Sequence, residues 1–184
     1  WFLIFATMLG NGGIFCWYSY VNPMLTDIAG FSTDSITYLM MFAGLGMVIG
    51  NLTGGHFSDR YTPGRVAAFA QGCACVSLIL IFFLARFSWL AVLLMCICTT
   101  CLFAVSSPQQ VLLIRYSKGG ELLGAASVQV AFNLGNAIGA YCGGLPLEAG
   151  MGYQYPALIG VPFTFLGFIL LTLFHRKYES STSH

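Results

Sequence analysis

Charged side chains are scarce in this sequence, and their scarcity argues against most soluble classes of protein. Only 13 of the 184 residues are Asp, Glu, Lys or Arg, which is 7% against about 25% in soluble domains. A soluble fold of this size needs charged side chains to cover its surface. The formal net charge of +1 also gives no general attraction to polyanions. Soluble enzymes, nucleic-acid binders and disordered chains are therefore disfavoured, and an integral membrane protein remains.

The sequence also lacks a group of residues that indicates a metal site, a cofactor or catalysis. All seven cysteines lie in apolar stretches. They are Cys16, Cys73, Cys75, Cys96, Cys98, Cys101 and Cys142. Cys98 and Cys101 form a C-x-x-C pair, but no His, Asp or Glu shares their stretch, so we interpret them as small hydrophobic residues. The histidines, His56, His175 and His184, have no partner that indicates catalysis. We predict no metal, no cofactor and no enzymatic activity.

What the sequence has instead is a series of long apolar stretches. Six intervals contain no Asp, Glu, Lys or Arg, and a helix that crosses a bilayer needs about 20 apolar residues. The intervals are 1–26, 35–58, 66–85, 87–114, 122–147 and 149–175. They predict an all-α integral membrane protein with six transmembrane helices, because a β-barrel would alternate polar and apolar residues instead. The expected helices are 1–21, 35–57, 66–85, 88–110, 122–145 and 154–174. They form one unit over 1–174, and a polar cytoplasmic tail follows at 175–184.

The basic residues are distributed unevenly between the connections. Six of the seven lie after the second and fourth spans or in the tail. These six are Arg60, Arg65, Arg115, Lys118, Arg176 and Lys177. Only Arg86 lies in the other connections. Because cytoplasmic loops carry an excess of Lys and Arg, both termini and these two connections are predicted to be cytoplasmic.

Two spans carry glycine at every fourth position. The glycines are Gly46, Gly50 and Gly54 in the second span and Gly135, Gly139 and Gly143 in the fifth. This spacing lets two helices approach closely within lipid. The spacing alone leaves the partner open, either inside the six-helix unit or in another unit.

Polar side chains are concentrated on the first, fourth and fifth spans. The stripes are Asn11, Phe15 and Tyr18 on the first span, Thr99, Phe103 and Ser106 on the fourth, and Gln129, Asn133 and Asn136 on the fifth. Buried amides are costly in hydrocarbon unless they face protein or water. We therefore expect these three spans to line a polar cavity and the third and sixth to face lipid. For any single residue, a role in joining helices is an equal alternative.

Two motifs resemble those of a known family. The stretch G-H-F-S-D-R-Y-T-P-G-R, from Gly55 to Arg65, resembles the loop signature G-x-x-x-D-R-x-G-R of the major facilitator superfamily, with two extra residues before Gly64. The runs K-G-G-E-L-L-G-A-A and A-F-N-L-G-N-A-I-G-A-Y-C-G-G are similar to the eleventh helix of its drug and sugar efflux members. With its six spans, the chain resembles helices seven to twelve, the C-terminal half, of bacterial arabinose-efflux-permease-like proteins and drug:proton antiporters.

The resemblance implies a fold and a function. The fold would be one half, a 3+3 inverted repeat, of a twelve-helix transporter in the bacterial inner membrane. The first and fourth helices would line the cavity, the second and fifth would meet the other half, and the third and sixth would lie outside. The function would be proton-coupled efflux of sugars or small drug-like molecules by alternating access. Its partners would be the bilayer, the N-terminal half, the substrate and protons. A start at Trp1 without an initiator Met agrees with a fragment.

The resemblance also implies roles for single residues. Asp59 takes the acidic position of the signature, which in the family lies near a helix N-terminus of the opposite half. Arg60 and Arg65 take the basic positions, and Gly55 and Gly64 take the glycine positions. The implied second half favours glycine stripes that pack between halves, so the isolated chain is expected to self-associate. Because no acidic residue lies within a span, a proton-coupling carboxylate would lie in the other half.

Two other classes are less consistent with the sequence. A rhomboid-like intramembrane protease has six helices, but it needs a serine in a G-x-S-G-like context and a histidine base in the membrane. This sequence has no such serine motif, and His56 has no matching nucleophile. A water or solute channel would carry paired Asn-Pro-Ala loops, and the chain offers only the single match that begins at Asn22.

Overall fold

The computed structural model describes residues 1–117 and 119–179, and within these residues it consists of helices and short connections. The six long helices are α1 (Phe2–Tyr18), α2 (Thr33–Arg60), α3 (Pro63–Leu84), α4 (Ser88–Arg115), α5 (Glu121–Glu148) and α6 (Tyr155–Phe174). A short helical turn, Val21–Pro23, and a π-helical turn, Met24–Ile28, follow α1. Five helices are long and apolar enough to cross a membrane, and α1 makes a sixth when joined to Val21–Ile28 across a 41° bend. The prediction of an all-α, six-span architecture is confirmed.

The ends of the helices follow local chemistry. Pro63 occupies the first turn of α3, where its missing N–H costs nothing. Acidic residues, Asp34 and Glu121, lie in the first turns of α2 and α5, where the helix dipole favours negative charge. The turn before α2 contains Gly30 at a φ of +77°, a conformation that glycine adopts without steric cost. Charge-free intervals therefore locate the spans, while these terminal residues favour the starts of α2, α3 and α5.

The last helix continues beyond the predicted boundary at residue 174. A π-helical turn, His175–Glu179, extends α6, and Glu179 is buried. The expected tail therefore begins as ordered structure. Its remaining residues, 180–184 with His184, lie outside the described residues, as does Lys118.

The packing of the helices shows an inverted repeat. Helix α1 packs mainly against α5 and α6, α4 packs mainly against α2 and α3, and α3 also packs against α6. Exchanging α1 with α4, α2 with α5 and α3 with α6 reproduces the same set of contacts. Two three-helix repeats of opposite direction therefore build one unit, as inverted-topology transporters do.

The glycines of α2 form the close contact with α4. A Cβ placed on Gly46 would lie 2.8 Å from the hydroxyl oxygen of Thr99, and one on Gly54 would lie 2.6 Å from the carbonyl oxygen of Ala104. A Cβ placed on Gly50 would overlap the carbonyl oxygen of Thr100. The two helices run parallel, and each step of four residues on α2 matches a step of four on α4.

Helix α5 makes the equivalent contact with α1. Its glycines meet backbone carbonyl groups of α1, again at steps of four residues. The pairs are Gly135 with Met8, Gly139 with Gly12, and Gly143 with Cys16. The expectation that both glycine stripes pack between halves is therefore wrong, because their partners lie inside the unit. The glycine spacing specifies a close approach but not which helix approaches.

The outer faces of the bundle are apolar. On α2 the side opposite the glycines exposes large hydrophobic residues, and so does the outer side of α5. They include Tyr38, Met41, Leu45, Val48 and Leu52 on α2, and Val130, Leu134, Ile138 and Tyr141 on α5. A surface of this kind is stable in lipid or against another apolar surface.

Candidate functional site

Helices α1 and α4 carry four half-buried residues of the predicted stripes, Phe15, Tyr18, Phe103 and Ser106, which we call the wall. Phe15 and Tyr18 on α1 and Phe103 on α4 are half-buried and pack against the same apolar core. The rings of Phe15 and Tyr18 meet edge to face, with centroids 5.5 Å apart. Ser106 is also half-buried, and its hydroxyl group donates to the carbonyl oxygen of Leu102 at 3.0 Å. The wall therefore contains rings and a hydroxyl group and no charged side chain.

Two residues of the predicted stripes are buried instead of open to a cavity. Thr99 is fully buried, and its hydroxyl group lies within hydrogen-bonding distance of the carbonyl oxygens of Met95 and Cys96, in its own helix. It lies under Gly46 and therefore serves the contact between α2 and α4. Asn11 is 4% exposed. Helical periodicity predicts which residues share a face of a helix, but it does not reveal how deep a side chain lies.

The amides of α5 extend this surface. Gln129 and Asn133 are exposed, and Asn136 is half-buried with its side-chain oxygen unpaired among the described residues. The side chain of Tyr20, which follows α1, reaches α5 and donates to the carbonyl oxygen of Ala140 at 2.9 Å. Exposed amides are costly against hydrocarbon. This side of α5 is consequently suited to face water, substrate or protein rather than lipid.

A buried polar cluster lies where α1, α3 and α6 meet. Gln71 on α3 is fully buried, and its side-chain nitrogen donates to the carbonyl oxygen of Gly10 at 3.1 Å. A longer contact of 3.5 Å joins it to the carbonyl oxygen of Thr164 on α6. The side-chain oxygens of Gln71 and Thr164 have no partner among the described residues. The sequence predicts that both of these spans face lipid, and its one signal for the contact is the glycines Gly10 and Gly13 opposite the two side chains.

The signature loop borders a polar hollow of about 610 Å³. Asp59, Arg60 and Arg65 are exposed around it, and Arg115 from the end of α4 contributes a third guanidinium group. Gly55 lies above α4, where a Cβ would meet the hydroxyl oxygen of Ser107 at 3.4 Å. Within residues 1–117 and 119–179, the structure contains no group of three His, Cys, Asp or Glu side chains that could hold a metal ion.

Glu179 joins the end of the chain to the start of α3. One carboxylate oxygen accepts a hydrogen bond from the backbone N–H of Gly64 at 3.1 Å, and the other lies 2.9 Å from Nδ1 of His175. The same nitrogen lies 3.2 Å from the hydroxyl oxygen of Thr62. A Cβ on Gly64 would overlap the carboxylate. The signature glycine therefore makes room for an anion at a helix N-terminus, where the dipole favours it.

We predict that Glu179→Ala destabilises the chain by about 1 kcal/mol, because it removes a cap from the N-terminus of α3. The measurement is thermal unfolding in detergent, followed as the fraction of protein that stays monodisperse after heating. Glu148→Ala is the matched control, since this exposed carboxylate lies at the far end of α5. Equal unfolding temperatures for the two variants would contradict the capping role.

Comparison with known proteins agrees with this geometry. The family model described as Major Facilitator Superfamily matches residues 1–184. The Escherichia coli protein named "Putative transporter AraJ" is 46% identical over 176 residues, which cover 96% of this chain and 45% of that protein. The "Inner membrane transport protein YdhP" of Escherichia coli is 33% identical, over 95% of this chain and 44% of that protein. A "Probable sugar efflux transporter" of Pasteurella multocida is 24% identical, over 94% of this chain and 42% of that protein.

The chain therefore spans somewhat less than half the length of the relatives it matches. The family match covers every residue, and the six-helix inverted repeat is what one half of such a transporter contains. This multi-pass membrane chain belongs to the major facilitator superfamily.

Proposed function

We propose that this chain is the C-terminal half of a secondary transporter that exports sugars or similar small uncharged molecules by alternating access. The observation that carries the proposal is the wall formed by Phe15, Tyr18, Phe103 and Ser106, which is partly open and has no ionisable group other than a phenol. The exposed amides of α5 lie beside α1, whose face forms half of this wall.

The chemistry of this wall favours a sugar over an ion. Aromatic rings cover the apolar faces of a sugar ring, while amides and hydroxyl groups exchange hydrogen bonds with its hydroxyl groups. A charged substrate would need a countercharge, and the spans of this chain contain no Asp, Glu, Lys or Arg. The name of the Pasteurella multocida relative, a sugar efflux transporter, supports the same substrate class.

The proposal includes coupling to protons and an orientation in the membrane. Because the spans lack a carboxylate, the proton-binding group would belong to the N-terminal half. The excess of Lys and Arg in the α2–α3 and α4–α5 connections and after α6 supports cytoplasmic termini in a bacterial inner membrane. Asp59 would then face the other half from the cytoplasmic end of α2.

The internal glycine contacts support movement of this half as one body. Helices α1 and α5 touch backbone to backbone, and so do α2 and α4. Such contacts leave little freedom for one helix to slide past the other. The rocking surfaces would then be the apolar outer faces of α2 and α5, and in the absence of the second half these faces would drive self-association.

A transport assay with wall variants tests the proposal. In vesicles that carry the intact transporter with this chain as its C-terminal half, we expect Phe103→Ala or Tyr18→Ala to lower sugar efflux about fivefold or more, since each removes a ring that contributes about 1 kcal/mol of contact. Ser106→Ala should have a smaller effect in the same direction. Phe83→Ala is the control, because this ring is 66% exposed on the outer face of α3. Efflux rates for Phe103→Ala that equal those of Phe83→Ala with every sugar tried would rule out the wall as the substrate site.

A further inference from the structure

Two cavities of different character lie side by side at the start of α3. One is the polar hollow of the signature loop, and the other is an apolar groove of about 320 Å³ between the end of α2 and the start of α3. The groove is lined by Phe57, Tyr61, Arg65, Val66 and Phe69. Tyr61 and Arg65 line both cavities. A single ligand that spans both would need an apolar part and a polar part.

The groove opens onto an exposed apolar stripe of α3. Arg65, Phe69, Val76 and Phe83 are spaced by 4, 7 and 7 residues, which places them on one side of a helix. The three apolar members are 73%, 56% and 66% exposed. A stripe of exposed apolar side chains along a membrane helix faces lipid chains. Arg65 therefore lies at the end of a lipid-facing surface, where hydrocarbon gives way to headgroups.

The charged side chains around the two cavities include three arginines that are not paired with a carboxylate among the described residues. Within the described part of the chain, Arg60, Arg65 and Arg115 form no salt bridge, and the guanidinium group of Arg65 lies 6.0 Å from the centre of the Tyr61 ring. The carboxylate of Glu179 is already engaged by Gly64 and His175. Among the described residues that line the hollow, the carboxylates of Asp59 and Glu179 face three guanidinium groups, so a net positive charge remains and the hollow suits an anion.

We propose that this pair of cavities binds an anionic phospholipid. One acyl chain lies in the groove against Phe57 and Phe69, and the phosphate lies at Arg65, where the hollow begins. Planar guanidinium groups bind phosphate through two parallel hydrogen bonds. Basic pockets at the cytoplasmic end of membrane helices attract anionic headgroups. The lipid-facing stripe favours a phospholipid over a soluble anion, because Phe69 belongs to both the groove and the exposed apolar stripe of α3.

Quenching of tryptophan fluorescence by brominated lipids tests the site. The chain carrying Phe69→Trp is reconstituted in phosphatidylcholine with increasing fractions of brominated phosphatidylglycerol or brominated phosphatidylcholine. Quenching of the native tryptophans is subtracted with the unsubstituted chain. One arginine near the membrane surface favours an anionic lipid by a factor of about five, so we expect about fivefold stronger association of phosphatidylglycerol at position 69. Val76→Trp, in the middle of the stripe and far from both Arg65 and Arg86, should show no preference.

Charge variants in the Phe69→Trp background identify the arginine that binds the lipid phosphate. Arg65→Gln should remove the preference, while Arg86→Gln, which loses an exposed arginine at the other end of α3, should keep it. Equal quenching by brominated phosphatidylcholine in all variants shows that each is folded and inserted. The proposal is overturned by equal association of both lipids at position 69, or by a preference that survives Arg65→Gln. It is also overturned by a preference that soluble glycerol phosphate abolishes, because this result identifies a site for free anions.

Discussion

Gly50→Ala and Gly139→Ala should each greatly reduce the yield of folded chain, whereas Gly44→Ala should leave it unchanged. A single added carbon at Gly50 or Gly139 overlaps a backbone carbonyl oxygen of the neighbouring helix, while nothing lies within 4 Å of the corresponding position on Gly44. Overpacking a well-packed core costs about 1–3 kcal/mol. Here the obstacle is backbone, so we expect the upper end of that range or complete loss of the folded state.

The comparison is made within one helix, since Gly44 and Gly50 both belong to α2. The measurement is the amount of monodisperse protein in detergent and its unfolding temperature. Helix propensity acts alike on the two alanine variants, so a difference between them reports the contact with α4. If Gly50→Ala unfolds at the same temperature as Gly44→Ala, the close packing of α2 on α4 is wrong.

Gln71→Glu should also strongly destabilise the chain. The side-chain nitrogen of Gln71 donates to the carbonyl oxygen of Gly10 from a fully buried position. A carboxylate there would place an oxygen without a proton against that carbonyl oxygen and would bury an unpaired charge. The cost of an uncompensated buried charge is about 3–5 kcal/mol. Thermal unfolding at pH 8, where the free carboxyl group is ionised, measures this cost.

Gln71→Met is the matched variant, because it has a similar length and carries no hydrogen-bonding group. It loses the bond to Gly10, but it also removes the unpaired side-chain oxygen, so its effect should stay within about 1 kcal/mol. Glutamate and methionine variants of equal stability would show that position 71 reaches water, contrary to its burial between α1 and α6.

The sequence predicts the architecture well because charge placement reports the membrane directly. Thirteen charged residues leave six intervals of membrane length, and each yields a helix. The aromatic and amide stripes on α1, α4 and α5 follow from helical periodicity. Periodicity gives no information about depth, and for this reason it does not show that Thr99 and Asn11 are buried.

The remaining differences arise from contacts between distant parts of the chain. The glycine spacing is compatible with any parallel neighbour, so it does not distinguish α4 from a helix in another unit. Gln71 is a single amide in an apolar span, and no repeating pattern marks it. Glu179 reaches Gly64 across 115 residues of sequence. No local signal in a polar terminus predicts such a contact.

The most direct test of the proposed function is proton-driven sugar uptake by inside-out vesicles. One set of vesicles carries the intact twelve-helix transporter with this chain as its C-terminal half, and the other carries this chain alone. The account predicts that an acidic vesicle lumen drives uptake only in the first set and that a protonophore abolishes it. Equal uptake by this chain alone, or uptake by the intact transporter that a protonophore leaves unchanged, would contradict the account.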